Sequence, residues 1–170
     1  LYDFGVSEDG SIYYVMELLE GTDMHHLVEL YGPISPARTV HLLAQVCLSL
    51  AEAHQAGLIH RDIKPANIQL CRLGLQVDFV KVLDFGLVSA PPQEANLQLT
   101  APNSVFGTPG FMSPEQAGGE PMDHRTDIYA LGCVAYWLLS GKLVFRAESG
   151  MDSVVELYRR RPDPISQHAP

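Results

Sequence analysis

The stretch that decides the fold of this chain reads HRDIKPAN and spans residues 60–67. Two more stretches follow in order, DFG at residues 84–86 and GTPGFMSPEQ at residues 107–116. Two short strands are predicted at 67–71 and 79–83, between the first two stretches. Residues 89–103 are polar and proline-bearing with little periodicity, which predicts a long mobile loop before the third stretch.

In this order the three stretches resemble the signature of the protein kinase family, with its catalytic loop, its metal-binding Asp-Phe-Gly and the Pro-Glu end of its activation segment. One triplet alone would be weak evidence, whereas three in the family's order are a strong signal. The resemblance covers the whole chain. It implies an α+β protein-kinase-like fold: a mainly helical large lobe with a hinge and two small-lobe strands, the small lobe being otherwise missing.

The same resemblance assigns residues 1–170 to a partial kinase catalytic domain. Residues 1–21 would be the end of the small lobe and the hinge, and residues 22–170 the large lobe without its C-terminal helices. The sequence has no Gly-x-Gly-x-x-Gly, and none of its lysines matches the family's phosphate-anchoring lysine; they are Lys64, Lys81 and Lys142. We therefore expect this polypeptide, on its own, to bind ATP weakly and to be inert and poorly stable.

The catalytic assignments also follow from the resemblance. Asp62 would lie beside the attacking hydroxyl, Lys64 would reach the transferred phosphate, and Asn67 and Asp84 would bind Mg²⁺. Thr108 would contact Asp62 and Lys64. Without the family spacing, these residues would be read as turn formers that cap neighbouring elements.

The nucleotide-site assignments lie mostly near the start of the chain. Met16 would be the gatekeeper, while the Glu17 carbonyl and the Leu19 amide would bind adenine and Asp23 would accept a ribose hydroxyl. Gln69 departs from the family, because an apolar side chain usually forms the adenine floor there. The alternative interpretation of 16–23 is a strand end followed by a helix N-terminal acid.

Four residues have expected supporting roles. Asp127 resembles the buried aspartate that holds the catalytic-loop backbone, and His60 and Phe85 are expected to pack rather than to bind metal. Glu115 would lack the family's arginine partner, and an unpaired buried carboxylate costs several kcal/mol, about 3–5, or changes its protonation.

Regulation is expected to involve Arg61, since an arginine before the catalytic aspartate usually awaits a phosphate on the activation loop. Ser104 lies four residues before Thr108, at the spacing of the family's main phosphosite, and Thr100 is the second candidate. Both could equally be ordinary loop residues.

The implied function is a serine/threonine kinase of the bacterial branch, which transfers the γ-phosphoryl group of Mg-ATP to protein hydroxyls. Lys64 and Thr108 favour serine or threonine over tyrosine as the acceptor. The alternative is a catalytically inert, pseudokinase-like binding module. A metal-dependent phosphohydrolase built on His60, Asp62 and Asp84 is a third class, but it leaves the Pro-Glu segment unexplained.

Composition restricts the partners and the compartment. Twenty acidic against 11 basic residues give a net charge of −9, which disfavours nucleic acid as a partner. Three cysteines in apolar stretches fit reduced thiols and a cytoplasmic location. No apolar run reaches the roughly 20 residues of a membrane span, and nothing in the sequence indicates an oligomeric state.

Helix signals predict the rest. Thr22 would cap a helix that ends at Tyr31, and Ser35 followed by Pro36 would begin the next. That second helix, 37–56, is apolar almost all round, which predicts burial on every side. Further helices are predicted from Ser113 with a capping box, over 127–139 and over 151–160.

Overall fold

The computed structural model describes residues 2–85, 109–145 and 156–168. Within these ranges, two small antiparallel sheets precede and flank a body of helices. The predicted loop 89–103 and the first half of the predicted helix 151–160 lie outside the described residues. Residues 156–159 are helical, as expected.

The first sheet is a hairpin of β1 (Asp3–Val6) and β2 (Ile12–Val15). The strands pair from Asp3 opposite Val15 to Val6 opposite Ile12. The Asp9 carboxylate closes the turn, because it accepts hydrogen bonds from the Ser7 hydroxyl and the Ser11 amide. The apolar side chains of both strands are exposed, so the hairpin adds little to the described core.

The second sheet consists of β3 (Gly21–Asp23), β4 (Ile68–Leu73) and β5 (Gln76–Val82), with β4 in the centre. β4 and β5 confirm the predicted strand pair, with ends that differ by one to three residues. Ile68 and Leu70 face the core. A β-carbon on Gly21 would lie 1.9 Å from the Leu70 carbonyl oxygen, so only glycine allows β3 this close to β4.

Helix α1 (Met24–Tyr31) follows β3 without a loop. Its N-cap is Asp23, whose carboxylate accepts the amides of His25 and His26. The predicted cap at Thr22 is therefore wrong by one residue, because the chain stays extended through Asp23 to complete β3.

Helix α2 (Pro36–Gln55) begins as predicted, with Ser35 as its cap and Pro36 in its first turn. One face of the helix is buried against β5 and the last long helix, through Leu42, Val46 and Leu50. Val40 and Leu48, on the other side, are 68% and 72% exposed. Burial on every side is thus wrong for the described part of the chain, since only one face of α2 has a neighbour there.

The remaining helices are α3 (Pro114–Gly118) and α4 (Arg125–Ser140). The predicted capping box of α3 is present, with the Ser113 and Gln116 side chains bonded to each other's backbone amides. Gly141 ends α4 in the left-handed conformation, where glycine is favoured. α1, α2, α4 and β4 enclose one core, which includes Met24, Leu42, Val46, Ile68, Val134 and Leu138. In the described parts of the chain, every helix is too short or too polar to cross a membrane.

Candidate active site

The segment 60–67 brings two of the predicted catalytic side chains, Lys64 and Asn67, to the carboxylate of a third, Asp62. Lys64 Nζ lies 2.6 Å from Asp62 Oδ2, and Asn67 Nδ2 donates to the same oxygen at 3.0 Å. Asn67 Nδ2 also donates to the Asp62 carbonyl at 2.8 Å. A short 3₁₀ turn, Pro65–Asn67, brings Asn67 back towards Asp62. The Asp62 carboxylate is thereby fixed on one edge.

The backbone of this segment is held from below by Asp127, which is fully buried in the first turn of α4. Its two carboxylate oxygens accept the backbone amides of His60 at 2.9 Å and Arg61 at 2.8 Å. Arg61 has a φ of 68°, a left-handed conformation that costs a non-glycine residue on the order of 1–3 kcal/mol. The two hydrogen bonds offset this strain, and they confirm the expected contact of Asp127 with the catalytic-loop backbone.

His60 joins the same segment to the end of β5. Its Nδ1 accepts the Asp62 amide at 3.2 Å, so its Nε2 carries the proton and donates to the Leu83 carbonyl at 2.7 Å. The ring is buried and packs against Phe85, with centroids 4.7 Å apart. The expected packing roles of His60 and Phe85 are therefore confirmed.

Asp84 lies next to this junction, exposed and with a φ of 62°. The Leu83 amide donates to the Asn67 carbonyl at 2.9 Å, which fixes the backbone before Asp84 to the residue predicted as its metal-binding partner. The Asn67 amide nitrogen is used by Asp62, so the side-chain oxygen Oδ1 is the atom left for another ligand.

This donor set fits Mg²⁺ better than a metal held wholly by protein. Among the described residues, no group of three or more His, Cys, Asp or Glu side chains could hold a metal ion. Mg²⁺ usually takes one or two protein oxygens and completes its shell with phosphate and water. Asn67 Oδ1 and the Asp84 carboxylate would supply such a pair.

The predicted nucleotide residues lie on and beside the second sheet. In its register Asp23 lies opposite Gln69, and Gln69 lies opposite Lys81. The sheet therefore brings Asp23 and Gln69 together, while Glu17 and Leu19 lie in the linker before β3. Gln69 is half-buried.

The Asp23 carboxylate has hydrogen-bond partners in the first turn of α1. Its Oδ1 accepts the His25 and His26 amides, and its Oδ2 lies 2.6 Å from His26 Nδ1. Partial burial would raise the pKa of the Asp23 carboxyl, but hydrogen bonds from His26 and His25 outweigh it and keep this pKa below its usual value. A ribose hydroxyl would have to share Oδ2 with His26.

The Pro-Glu segment contacts the catalytic loop through α3. Gln116 Nε2 donates to the Arg61 carbonyl at 2.6 Å, a contact beyond its predicted capping role. Glu115 is half-buried and accepts the Thr126 hydroxyl at 2.6 Å. Burial would raise the pKa of Glu115, yet the bond from Thr126 and a backbone amide hold it low. Thr126 is therefore a hydrogen-bond partner of Glu115, while the expected cost of lacking the arginine stays a prediction.

Two further features complete the comparison with the sequence. His54 Nε2 lies 2.8 Å from Asp127 Oδ2. The sequence gave no signal of this contact, because His54 has no partner at metal-ligand spacing. Thr108, Ser104 and Thr100 lie outside the described residues.

Comparisons with known proteins give the family of the chain. The model of the protein kinase domain family matches residues 1–167. The chain is 40% identical over 169 residues to the serine/threonine-protein kinase pkn3 of Myxococcus xanthus. This match covers 99% of the chain and 31% of that protein. It is 39% identical over 170 residues to the serine/threonine-protein kinase PknB of Mycolicibacterium smegmatis, covering 98% and 26% respectively.

A third relative is the probable serine/threonine-protein kinase CE0033 of Corynebacterium efficiens, 40% identical over 171 residues. The match covers 99% of this chain and 25% of that protein, so the chain spans between a quarter and a third of these relatives. A match to the family model over nearly every residue decides the family. The chain belongs to the protein kinase domain family.

Proposed function

We propose that this chain is part of a serine/threonine protein kinase that transfers the γ-phosphoryl group of ATP to serine or threonine hydroxyls of proteins. The observation that carries the proposal is the Asp62 carboxylate, which is fixed by Lys64 and Asn67 while Asp127 holds the backbone beneath it. The three relatives named as serine/threonine kinases support the choice of hydroxyl.

In this proposal, Asp62 orients the acceptor hydroxyl and receives its proton. The hydroxyl oxygen forms a bond to the γ-phosphorus as the bond from that phosphorus to the β-phosphate oxygen breaks, and ADP leaves. Lys64 would place a positive charge near the transferred group. In the structure its Nζ lies 2.6 Å from Asp62 Oδ2. Positioning and charge, rather than covalent chemistry, would supply the acceleration.

Asn67 and Asp84 would hold Mg²⁺, which when bound neutralises phosphate charge. Met16, the backbone of Glu17 and Leu19, and the side chains of Asp23 and Gln69 would form the nucleotide site. Residues 1–21 then belong to the small lobe and hinge, and 22–170 to the large lobe. Protein substrates and a cytoplasmic location belong to the same proposal, and the three unpaired cysteines agree with that location.

Ser104 is proposed as the phosphorylation site that acts on Arg61, with Thr100 as the second candidate and Thr108 as a contact of Asp62 and Lys64. The support is the resemblance and the conformation of Arg61, whose backbone is fixed by Asp127 and Gln116. Phosphate mapping by mass spectrometry, followed by Ser104→Ala and Thr100→Ala, tests it. Full activity of an unmodified protein that is indifferent to both changes would contradict it.

The reaction class is tested with the full-length protein that contains these residues, γ-labelled ATP, Mg²⁺ and a generic protein acceptor. We expect labelled phosphoserine and phosphothreonine, and Asp84→Asn should reduce transfer by at least about 100-fold. Asp163→Asn is the matched control, since Asp163 pairs with Arg160 on the surface.

Two results would overturn the proposal. Nucleotide binding without any transfer would favour an inert binding module. Release of phosphate from a simple ester without ATP would indicate a phosphohydrolase.

A further inference from the structure

Lys81 lies in the row of side chains that contains the proposed nucleotide residues. In the second sheet it is opposite Gln69, which is itself opposite Asp23. Residues directly opposite one another in an antiparallel pair have their side chains on the same face of the sheet. Asp23, Gln69 and Lys81 therefore share the face away from the core side chains Ile68 and Leu70.

The ammonium group of Lys81 forms an ion pair and hydrogen bond with Glu17 Oε1. Their side chains are 30% and 53% exposed, so the pair lies at the surface of the sheet without being buried. Glu17 belongs to the linker between the hairpin and β3, whereas Lys81 lies three residues before Asp84. The contact spans 64 residues of sequence and joins the two halves of the proposed nucleotide site.

No other hydrogen bond or ion pair found in the described ranges joins residues 2–20 to the rest of the protein. The hairpin bonds within itself, and its apolar side chains are exposed. In the linker, Leu19 is half-buried while Met16 and Leu18 are exposed, and the ion pair is the polar contact that joins this segment to β5 in the described part of the chain.

Cys71, on the central strand β4, lies within reach of both charges. Burial raises the pKa of its thiol, while the Lys81 charge lowers this pKa and the Glu17 charge raises it. Both charged groups are therefore close to the central strand, on the face that also carries Gln69.

We infer that Lys81 is a positioning residue of the nucleotide site: by binding Glu17, it fixes the linker backbone at residues 17–19 relative to β5 and Asp84. The inference rests on the proposed function, because that linker is the proposed adenine-binding segment. Exposed ion pairs contribute little to global stability, so the effect belongs to the geometry of the site and not to folding.

The test uses the full-length protein and the variants Lys81→Met, Glu17→Gln, Lys81→Arg and the exchange Glu17→Lys with Lys81→Glu. Two quantities are measured: the KM for ATP against kcat, and amide hydrogen exchange of residues 12–20 without nucleotide. Lys142→Met is the matched control, because Lys142 lies near His168 and away from the linker.

We expect Lys81→Met and Glu17→Gln each to raise the KM for ATP about three- to tenfold, with kcat within about twofold of the parent. Exchange over 12–20 should become faster in both variants. The conservative Lys81→Arg and the charge exchange should restore both readouts, and Lys142→Met should change neither.

Three results would overturn the inference: unchanged KM and exchange in both single variants, an effect of Lys81→Met without one of Glu17→Gln, or no recovery in the charge exchange. Failure of the proposed function gives a different pattern. The kinase proposal would be contradicted if the parent protein did not turn over ATP. The role of the Lys81–Glu17 pair would still be supported if amide hydrogen exchange over 12–20 became faster in both single variants and recovered in the double variant with swapped charges.

Discussion

The segment that carries Asp62 and the segment that carries Glu17 are held in opposite ways. Around 60–67, a buried carboxylate, a buried imidazole and a glutamine amide bind the backbone of residues 60, 61 and 62. Residues 2–20 form a hairpin and a linker whose side chains are exposed apart from the half-buried Leu19, bonded to the other described parts through the Lys81 ion pair. Leu18 is 94% exposed, whereas Ile63 in the loop is 2% exposed.

This difference matches what each segment would do. A group that transfers a proton must be held within a fraction of an ångström, and interlocking buried hydrogen bonds achieve this. A hinge must let two parts of a protein move, so a surface contact that is weak in free energy suits it better.

The largest effect is expected at Asp127. Asp127→Ala would leave the buried amides of His60 and Arg61 without their acceptor, and the left-handed Arg61 without support. We expect a loss of about 3–5 kcal/mol in the free energy of unfolding. Urea denaturation followed by the fluorescence of Trp137, the single tryptophan of the chain, measures it.

Asp127→Asn keeps one acceptor oxygen and should fall between the parent and the alanine variant. Asp163→Ala removes a surface carboxylate and serves as the control. A loss below about 1 kcal/mol in Asp127→Ala would show that the loop does not depend on this carboxylate.

A smaller effect, which depends on pH, is expected at Asp23 and His26, at the start of α1. The hydrogen bond and charge of Asp23 raise the pKa of His26 above its usual 6.5, and the Asp23 pKa lies below its usual 3.8. The contribution of His26 to stability is complete below pH 6.5 and is lost as the pH rises through the raised pKa of His26. The contribution of Asp23 to stability is complete above pH 3.8 and is lost as the pH falls through the lowered pKa of Asp23. The pair is therefore most stabilising between these two values.

An NMR titration of His26 checks this directly. In Asp23→Asn, which keeps an oxygen for the helix cap, the pKa of His26 should fall towards its usual value. Equal His26 pKa values in the parent and in Asp23→Asn would mean that the contact has no electrostatic effect.

Local signals predicted much of this molecule, and the errors have a common physical cause. Ser35 and Ser113 were found as caps because a cap is decided by residues within one turn of it. The burial of α2 was overestimated, because the number of its neighbours depends on distant segments. Thr22 and Asp23 are both good caps, and the pairing of β3 with β4 decided between them.

The candidate site shows the same division. Spacing placed Asp62, Lys64 and Asn67 together, because a five-residue turn is a local structure. The contacts of His54 with Asp127, Gln116 with Arg61 and Lys81 with Glu17 join residues 55 to 73 positions apart. Only the folded arrangement of strands and helices brings such pairs together, and no short pattern marks them.

In the proposed function, the rigidly held Asp62 acts in phosphoryl transfer and not in nucleotide binding. The most direct test compares Asp62→Asn with the parent, both as full-length proteins, by measuring ATP affinity and transfer to a protein acceptor in the same preparation. We predict an ATP affinity within about twofold of the parent, and a transfer rate lower by at least about 100-fold. A variant that keeps near-parental transfer would contradict the account, as would one that loses transfer only because it no longer binds ATP.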